Sequence, residues 1–447
     1  MREFQLPGKG ITGNGVWLPL LVSLVGYYVF NKGYAYIGYL PIFMGELTLI
    51  FYFFRLRHSK LLPAFFHTPA ARWWAFFFAY NLFTFARSSS HDLRDALQNS
   101  IWWIYTIFFY FGFCFGAKLL RDKNGPAFEK LLLYTAYAAI LEGLIEPAGN
   151  WFHSWSSFLY GGNSPFGNYS SYDASLSGLI GFLFFARRTR FHFFWIALGF
   201  FVLAFLLESR AGMLEMMVII PYALFVDRQV KISRRFKQMF IMLVVLITVF
   251  TGLNLSFQGK HGMVSIETAE DLAYSIFFQD DTSDLQGTKD DRMIWWGNLI
   301  KRTTSSTQGL FLGMGDSVIL NTAINKKGEI DRYPHNSFLS AFGFSGLIGV
   351  ILYLGLFWLV GWRIFKASRK ARGNLLLRWY PIFAIGYVVS ATFSTVFEAP
   401  FHSFIFWTIS GIIYHLAVKS GTAADPAQLS PGLNRPIAEA GLNRGGS

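Results

Sequence analysis

The stretch NSFLSAFGFSGLIGVILYLGLFWLVG, residues 336–361, runs without a single charged side chain. A helix needs about 20 apolar residues to cross a bilayer, so this run reads as a membrane span, with Asn336 and Ser337 as cap residues at its start. Working outward, about twelve such windows emerge, at roughly 16–31, 35–54, 70–86, 99–118, 128–147, 173–187, 191–207, 211–227, 238–256, 336–361, 378–396 and 400–418. The expected fold is therefore an all-α polytopic membrane protein. Composition agrees: the 447 residues are 53% hydrophobic, 19% aromatic and 15% charged, and mean hydropathy is +0.36. Fifty phenylalanines and fourteen tryptophans suit a lipid solvent better than an aqueous core.

Lys and Arg alternate between the connecting segments, as the retention of positive charge on the cytoplasmic side requires. The termini and even-numbered loops hold 27 of the 39 basic residues, which predicts that both termini are cytoplasmic. Arg2 and Lys9 precede the first run without a small-residue cleavage pattern, so it reads as a retained span and not as a signal peptide. The net charge of +13 reports topology and contact with anionic lipid, and nothing further supports nucleic-acid binding. The single cysteine, Cys114, excludes an internal disulfide and leaves the redox compartment unread.

Between the ninth and tenth windows lies a long outer segment, 256–335, with eleven acidic residues against eight basic ones. The domain organisation expected is thus 1–255 (spans one to nine), 256–335 (outer segment), 336–420 (spans ten to twelve) and 421–447, a disordered cytoplasmic tail. Within the outer segment, Arg292-Met-Ile-Trp-Trp-Gly-Asn-Leu-Ile-Lys-Arg302 places Met293, Trp296, Leu299 and Ile300 on one side at helical spacing. An amphipathic helix on the membrane surface is predicted, its two tryptophans at headgroup depth. A turn-rich piece containing Gly313-Met314-Gly315 follows, and a second outer loop, Gly149–Asp173, is rich in Gly, Ser, Asn and Tyr.

Three short motifs sit at the outer ends of apolar runs: Ser209-Arg210-Ala211-Gly212, Asp291-Arg292-Met293-Ile294-Trp295-Trp296, and Pro334-His335-Asn336-Ser337. His335 could simply help cap its span. A neutral imidazole there is also a competent base for a sugar hydroxyl. Arg210 follows Glu208 at a span end, where a guanidinium is costly unless it is paired or lines a cavity, so a structural pair and a functional site compete. Arg292 opens the predicted amphipathic helix beside Asp290 and Asp291, where a solvated surface arginine is the plain alternative. Arg87 and Arg94, with Asp92 and Asp95, and Lys301 and Arg302 are weaker candidates for phosphate or sugar contacts. Glu46, Glu142, Glu146, Glu208 and Glu215 interrupt apolar runs and would suit a proton-coupled flippase or exporter of lipid-linked sugars. Hydropathy symmetry between halves, common in transporters, is missing. Neither an HExxH motif nor a close histidine pair occurs, so no metal and no cofactor is expected.

In order and spacing, Ser-Arg210-Ala-Gly, Arg292 followed by Ile294-Trp295 and then Gly313-Met314-Gly315, and Pro334-His335-Asn336-Ser337-Phe338-Leu339 resemble the signature of the O-antigen ligase and polymerase superfamily, over roughly Gly167 to Val360. The resemblance implies a GT-C-like membrane glycosyltransferase with a periplasmic site in the bacterial inner membrane. Its donor would be an undecaprenyl pyrophosphate-linked glycan and its acceptor the lipid A-core oligosaccharide. It further implies that His335 is the base activating the acceptor and that Arg210 and Arg292 hold the pyrophosphate. Asn168, in Phe-Gly-Asn168-Tyr, matches the family's Gly-Asn-Pro-Asn stretch only in part and receives no role. A diphosphate is already a good leaving group, so fixed positive charge suffices to stabilise its departure, and arginine forks match phosphate oxygens. With no carboxylate nucleophile in view, inversion by direct displacement is expected. The carrier's acyl chain would lie in a lateral groove lined by surplus phenylalanines. O-antigen polymerase and protein O-oligosaccharyltransferase are the rivals within the family. Modest size, the outer segment of about eighty residues and the lack of an extra C-terminal soluble region favour the ligase.

Overall fold

The computed structural model describes residues 14–39, 42–57, 59–88, 92–145, 173–186, 191–203, 210–226, 244, 257–258, 263–264, 284–321, 333–371 and 373–420. The expected ninth span (apart from Val244), the loop bearing Asn168, Glu146, Glu208 and the tail from Gly421 lie outside these residues. The described helices are α1 (Leu18–Ala35), α2 (Met44–Leu56), α3 (Leu61–Phe66), α4 (Pro69–Ser88) and α5 (Leu93–Asn99). They continue with α6 (Ile101–Arg121), α7 (Gly125–Ile145), α8 (Asp173–Phe185), α9 (Phe191–Phe201) and α10 (Arg210–Val226). The remainder are α11 (Asp284–Thr303), α12 (Thr307–Leu312), α13 (Ser337–Lys370), α14 (Leu375–Phe393) and α15 (Pro400–Ser420). Strand pairing among the described residues is confined to two antiparallel pairs of two-residue strands. Four helices of this set, α6, α13, α14 and α15, are long and apolar enough to cross a membrane.

α15 is the central helix, buried along nearly its whole length and packed against α6, α13, α1 and α14. Lipid is as apolar as leucine, so helices in a bilayer gain by close backbone approach more than by burying apolar area. Gly112 on α6 faces Gly411 on α15 in this way, and Gly116 approaches Ile412. A Cβ on Gly112 would stand 2.2 Å from the Thr408 carbonyl oxygen, and one on Gly411 2.1 Å from that of Phe109. Around the crossing, Phe108 packs at a tilt against Phe404 with centroids 4.4 Å apart and Phe109 against Tyr414 at 5.4 Å. Many of the phenylalanines are thus core residues of the bundle and not the lining of a lipid groove. Among those left outward, Phe53, Phe54, Phe76 and Phe83 belong to α2 and α4.

α13 has 34 residues, about 50 Å at 1.5 Å per residue, longer than a bilayer's apolar layer. Its far end carries Arg363, Lys366, Arg369 and Lys370, with Lys366 over the Trp362 ring at 4.7 Å. The helix breaks at Gly346 (φ 64°, ψ −167°), a backbone region open essentially only to glycine. That break positions the functional end of the bundle.

Candidate functional site

Gly313, Met314 and Gly315 lie directly against the break in α13. Gly313 (φ 71°) ends α12, and a Cβ on Gly346 would sit 2.5 Å from the Gly313 nitrogen. Around this contact the Met314 amide donates to the Gly343 carbonyl at 2.8 Å and the Gly315 amide to that of Phe344 at 3.0 Å. The loop therefore supplies the donors that the broken helix no longer provides, as backbone at membrane depth requires. The Tyr80 hydroxyl donates to the Ser345 carbonyl at 2.7 Å from the α4 side.

Above the break, Asn336 caps α13 by accepting from the Phe338 and Leu339 amides at 3.1 and 3.0 Å. His335 precedes it with φ 52°, a left-handed conformation uncommon for a side-chain-bearing residue and a recurrent mark of functional sites. Two contacts hold it there. The Trp296 indole N–H donates to the Pro334 carbonyl at 2.7 Å, and the Trp295 ring lies against the His335 ring at 5.8 Å between centroids. Both tryptophans belong to α11, one turn beyond Arg292, so the Arg292 turn and His335 are brought to one place.

This seating divides the side predicted for α11. Trp295 and Leu299 are buried, whereas Met293, Ile294 and Ile300 are exposed. The large indole gains most by packing on His335, and Leu299 with Leu320 fills the space over Gly343; the helix turns to suit them. Trp295 is accordingly an inward contact and not a headgroup anchor.

Arg210 opens α10, and its side chain lies outside the described atoms. The helix can still be placed. Glu215 accepts from the Ser177 hydroxyl and stands beside Gly386 of α14. Arg210, five residues earlier, lies about 7 Å further along the axis, toward the end of α14 at Phe393. The same end meets α13, for the Ser337 hydroxyl oxygen lies 3.3 Å from the Ser394 carbonyl oxygen. Arg210 and His335 thus share one end of the bundle.

Glu398, in the turn between α14 and α15, was not singled out from sequence. It is buried and accepts from the Ser337 hydroxyl, while the Phe397 amide donates to that same hydroxyl at 3.1 Å. Burial raises its pKa, opposed by the Ser337 hydrogen bond and by the charge of His335. A lone acid in a short turn was the available signal; its burial was not readable.

The weaker candidates divide. Arg94 is exposed on α5. Arg87, Lys301 and Arg302 meet in a cavity of about 750 Å³ beside the glycine loop, with Ser88, Ser305 and Gln308. The Arg87 guanidinium donates to the Leu312 and Gly313 carbonyls at 3.0 and 2.8 Å. Arg302 donates to those of Ile319 and Leu320 at 3.2 and 2.8 Å. Both arginines pin the segment 312–320. Behind it lies Asp316, also missed from sequence: 1% exposed, its amide donating to the Ser88 hydroxyl at 3.1 Å. Neither carboxyl oxygen meets hydrogen-bond geometry, although the Trp102 and Trp103 indoles stand near. Burial pushes its pKa up to about 7 against those indoles and Arg87. A chain of hydrogen bonds joins this wall to the histidine loop: Tyr333 donates to Asn99 at 3.0 Å, and Asn99 to the Asp316 carbonyl at 2.8 Å.

Of the carboxylates within apolar runs, Glu46 accepts from the Phe43 amide at 3.0 Å and from the Tyr105 hydroxyl at 2.6 Å. It caps α2.

These features define a helical membrane protein with a polar, arginine-rich site at one end of its bundle. Residues 192–354 match the family model described as O-Antigen ligase. The match supports the O-antigen ligase superfamily and, with it, a function of the O-antigen ligase or polymerase type. It spans α9 to the middle of α13, and so takes in Arg210, Arg292, Lys301, Arg302 and His335, leaving Arg87 and Glu398 outside. No curated protein matches the chain.

Proposed function

We propose that the protein transfers O-antigen polysaccharide from undecaprenyl pyrophosphate to the lipid A-core oligosaccharide at the periplasmic face of the inner membrane, with inversion and without a metal. The observation that carries this reading is His335, held at positive φ against Trp295, on the helix that bears Arg292 and at the bundle end where α10 starts with Arg210. In the reaction the acceptor hydroxyl attacks the anomeric carbon and His335 takes its proton. The bond from that carbon to the diphosphate oxygen breaks, and the diphosphate leaves with the electron pair, stabilised by the two guanidinium groups. Glu398 is a positioning residue: it accepts from the Ser337 hydroxyl at the start of α13, two residues beyond His335.

The same chemistry with a repeat unit as acceptor would make a polymerase, and with a protein side chain a protein O-oligosaccharyltransferase. The long outer segment favours the ligase. A proton-coupled exporter is the rival of another class, and the structural bonds of Glu46 and Glu215 count against it. The test is to incubate purified protein in detergent with lipid-linked glycan, lipid A-core and a chelator, and to look for conjugate. Conjugate should form with the wild type and vanish with His335→Ala, while Arg210→Ala and Arg292→Ala weaken carrier use and Arg→Lys does not restore it. Near-normal transfer by His335→Ala would remove the histidine from its role.

A further inference from the structure

The cavity at Arg87, Lys301 and Arg302 is a separate place from the Arg292 turn. Lys301 and Arg302 lie nine and ten residues beyond Arg292 on α11, about 14 Å along the axis. One diphosphate cannot span that distance, but a saccharide can. Among the described residues no carboxylate lines the cavity, in an outer segment that is otherwise acidic. Asp316, behind the wall, is driven by burial toward its uncharged form, so it does little to cancel the field of the three cations.

Their donors are only partly used. Arg87 commits Nη2 to carbonyls, whereas its Nη1 is buried and makes no hydrogen bond. A buried donor left so costs about 1–3 kcal/mol. Lys301 is exposed at the rim, and among the described residues no carboxylate approaches any of the three within 4.0 Å. Ser88, Ser305 and Gln308 complete a wall of hydroxyl and amide groups. Forked guanidinium donors beside an ammonium match a phosphate or carboxylate, and the neutral groups match sugar hydroxyls.

We propose that this cavity is an anion subsite for the saccharide, holding a phosphate or carboxylate carried on a sugar unit. Assigning that sugar to a transferase substrate rests on the proposed function; the binding itself does not. The test is thermal unfolding of the full-length protein in neutral detergent, titrated with glucose 6-phosphate, glucuronate, glucose and short-chain phosphatidylglycerol. Glucose 6-phosphate and glucuronate should raise the melting temperature saturably, and glucose should not. Lys301→Glu, a change at an exposed position, should weaken this binding at least about tenfold, whereas Lys123→Glu and His335→Ala leave it intact. Absence of a saturable shift, an unaltered shift in Lys301→Glu, or tighter binding of phosphatidylglycerol than of the sugar acids would overturn the proposal. Because binding is read without turnover, that failure is distinct from retained transfer by His335→Ala, which overturns the reaction alone.

Discussion

Replacing Asp316 with asparagine should make the protein more stable at alkaline pH and flatten its response to pH. The carboxyl is fully enclosed, with the Trp102 and Trp103 indoles and Arg87 only partly offsetting burial, which moves its pKa from 3.8 to about 7. Below about pH 4 both folded and unfolded chains hold the proton, and no penalty arises. As the pH rises from there toward 7 the unfolded chain releases its proton first, so stability falls, and the full penalty stands above about pH 7. Three units at 1.36 kcal/mol each come to about 4 kcal/mol. Asparagine keeps the shape and never ionises, but it buries an unsatisfied amide worth about 1–3 kcal/mol. The net gain for Asp316→Asn near pH 8 is therefore about 2 kcal/mol, with a net loss near pH 4. The assay is scanning fluorimetry of both proteins in detergent across that range. Wild-type melting temperature should fall as pH rises, the variant's should stay level over the same window, and the two curves should cross. Parallel curves would refute the reasoning, since they would mean that Asp316 is not the titrating group.

Three further outcomes are expected. Gly346→Ala places a methyl 2.5 Å from the Gly313 nitrogen in a backbone region that costs about 3 kcal/mol, so folded protein recovered by size exclusion should drop sharply. Gly112→Leu should do the same by driving α6 from α15, whereas Gly125→Ala, with nothing within 4 Å of the new Cβ, should be silent. Trp296→Phe keeps a ring but removes the donor to the Pro334 carbonyl; transfer should slow by about tenfold or more with the melting temperature within a few degrees of wild type, as loss of one positioning bond implies.

Most of the helical architecture was legible because a span announces itself by length and freedom from charge. Within the described residues helices occupy the windows from 16–31 to 211–227 and from 336–361 to 400–418, except that the window at 35–54 opens with a short strand pair and its helix starts only at Met44. The limits of α13 were less visible: its basic, tryptophan-bearing extension continues in helical form to Lys370, well past the apolar run. The inward seat of α11 was not readable because periodicity counts apolar positions equally and cannot show that Trp295 has His335 as a partner. Arg87 could be recognised as a cation but not as a neighbour of Lys301, since more than two hundred residues separate them. Asp316 and Glu398 escaped notice because single acids in loops look solvated until the walls around them are known.

The clasp of Gly313–Gly315 on the broken top of α13 has a bearing on protein engineering. The loop from Phe311 to Gly315 and the helix top from Gly343 to Gly346 form a single mechanical unit, because each satisfies bonds the other leaves open. A chimera exchanging outer segments between related chains should carry both halves together; a junction placed at the span boundary near Ser337 would part the loop from its seat.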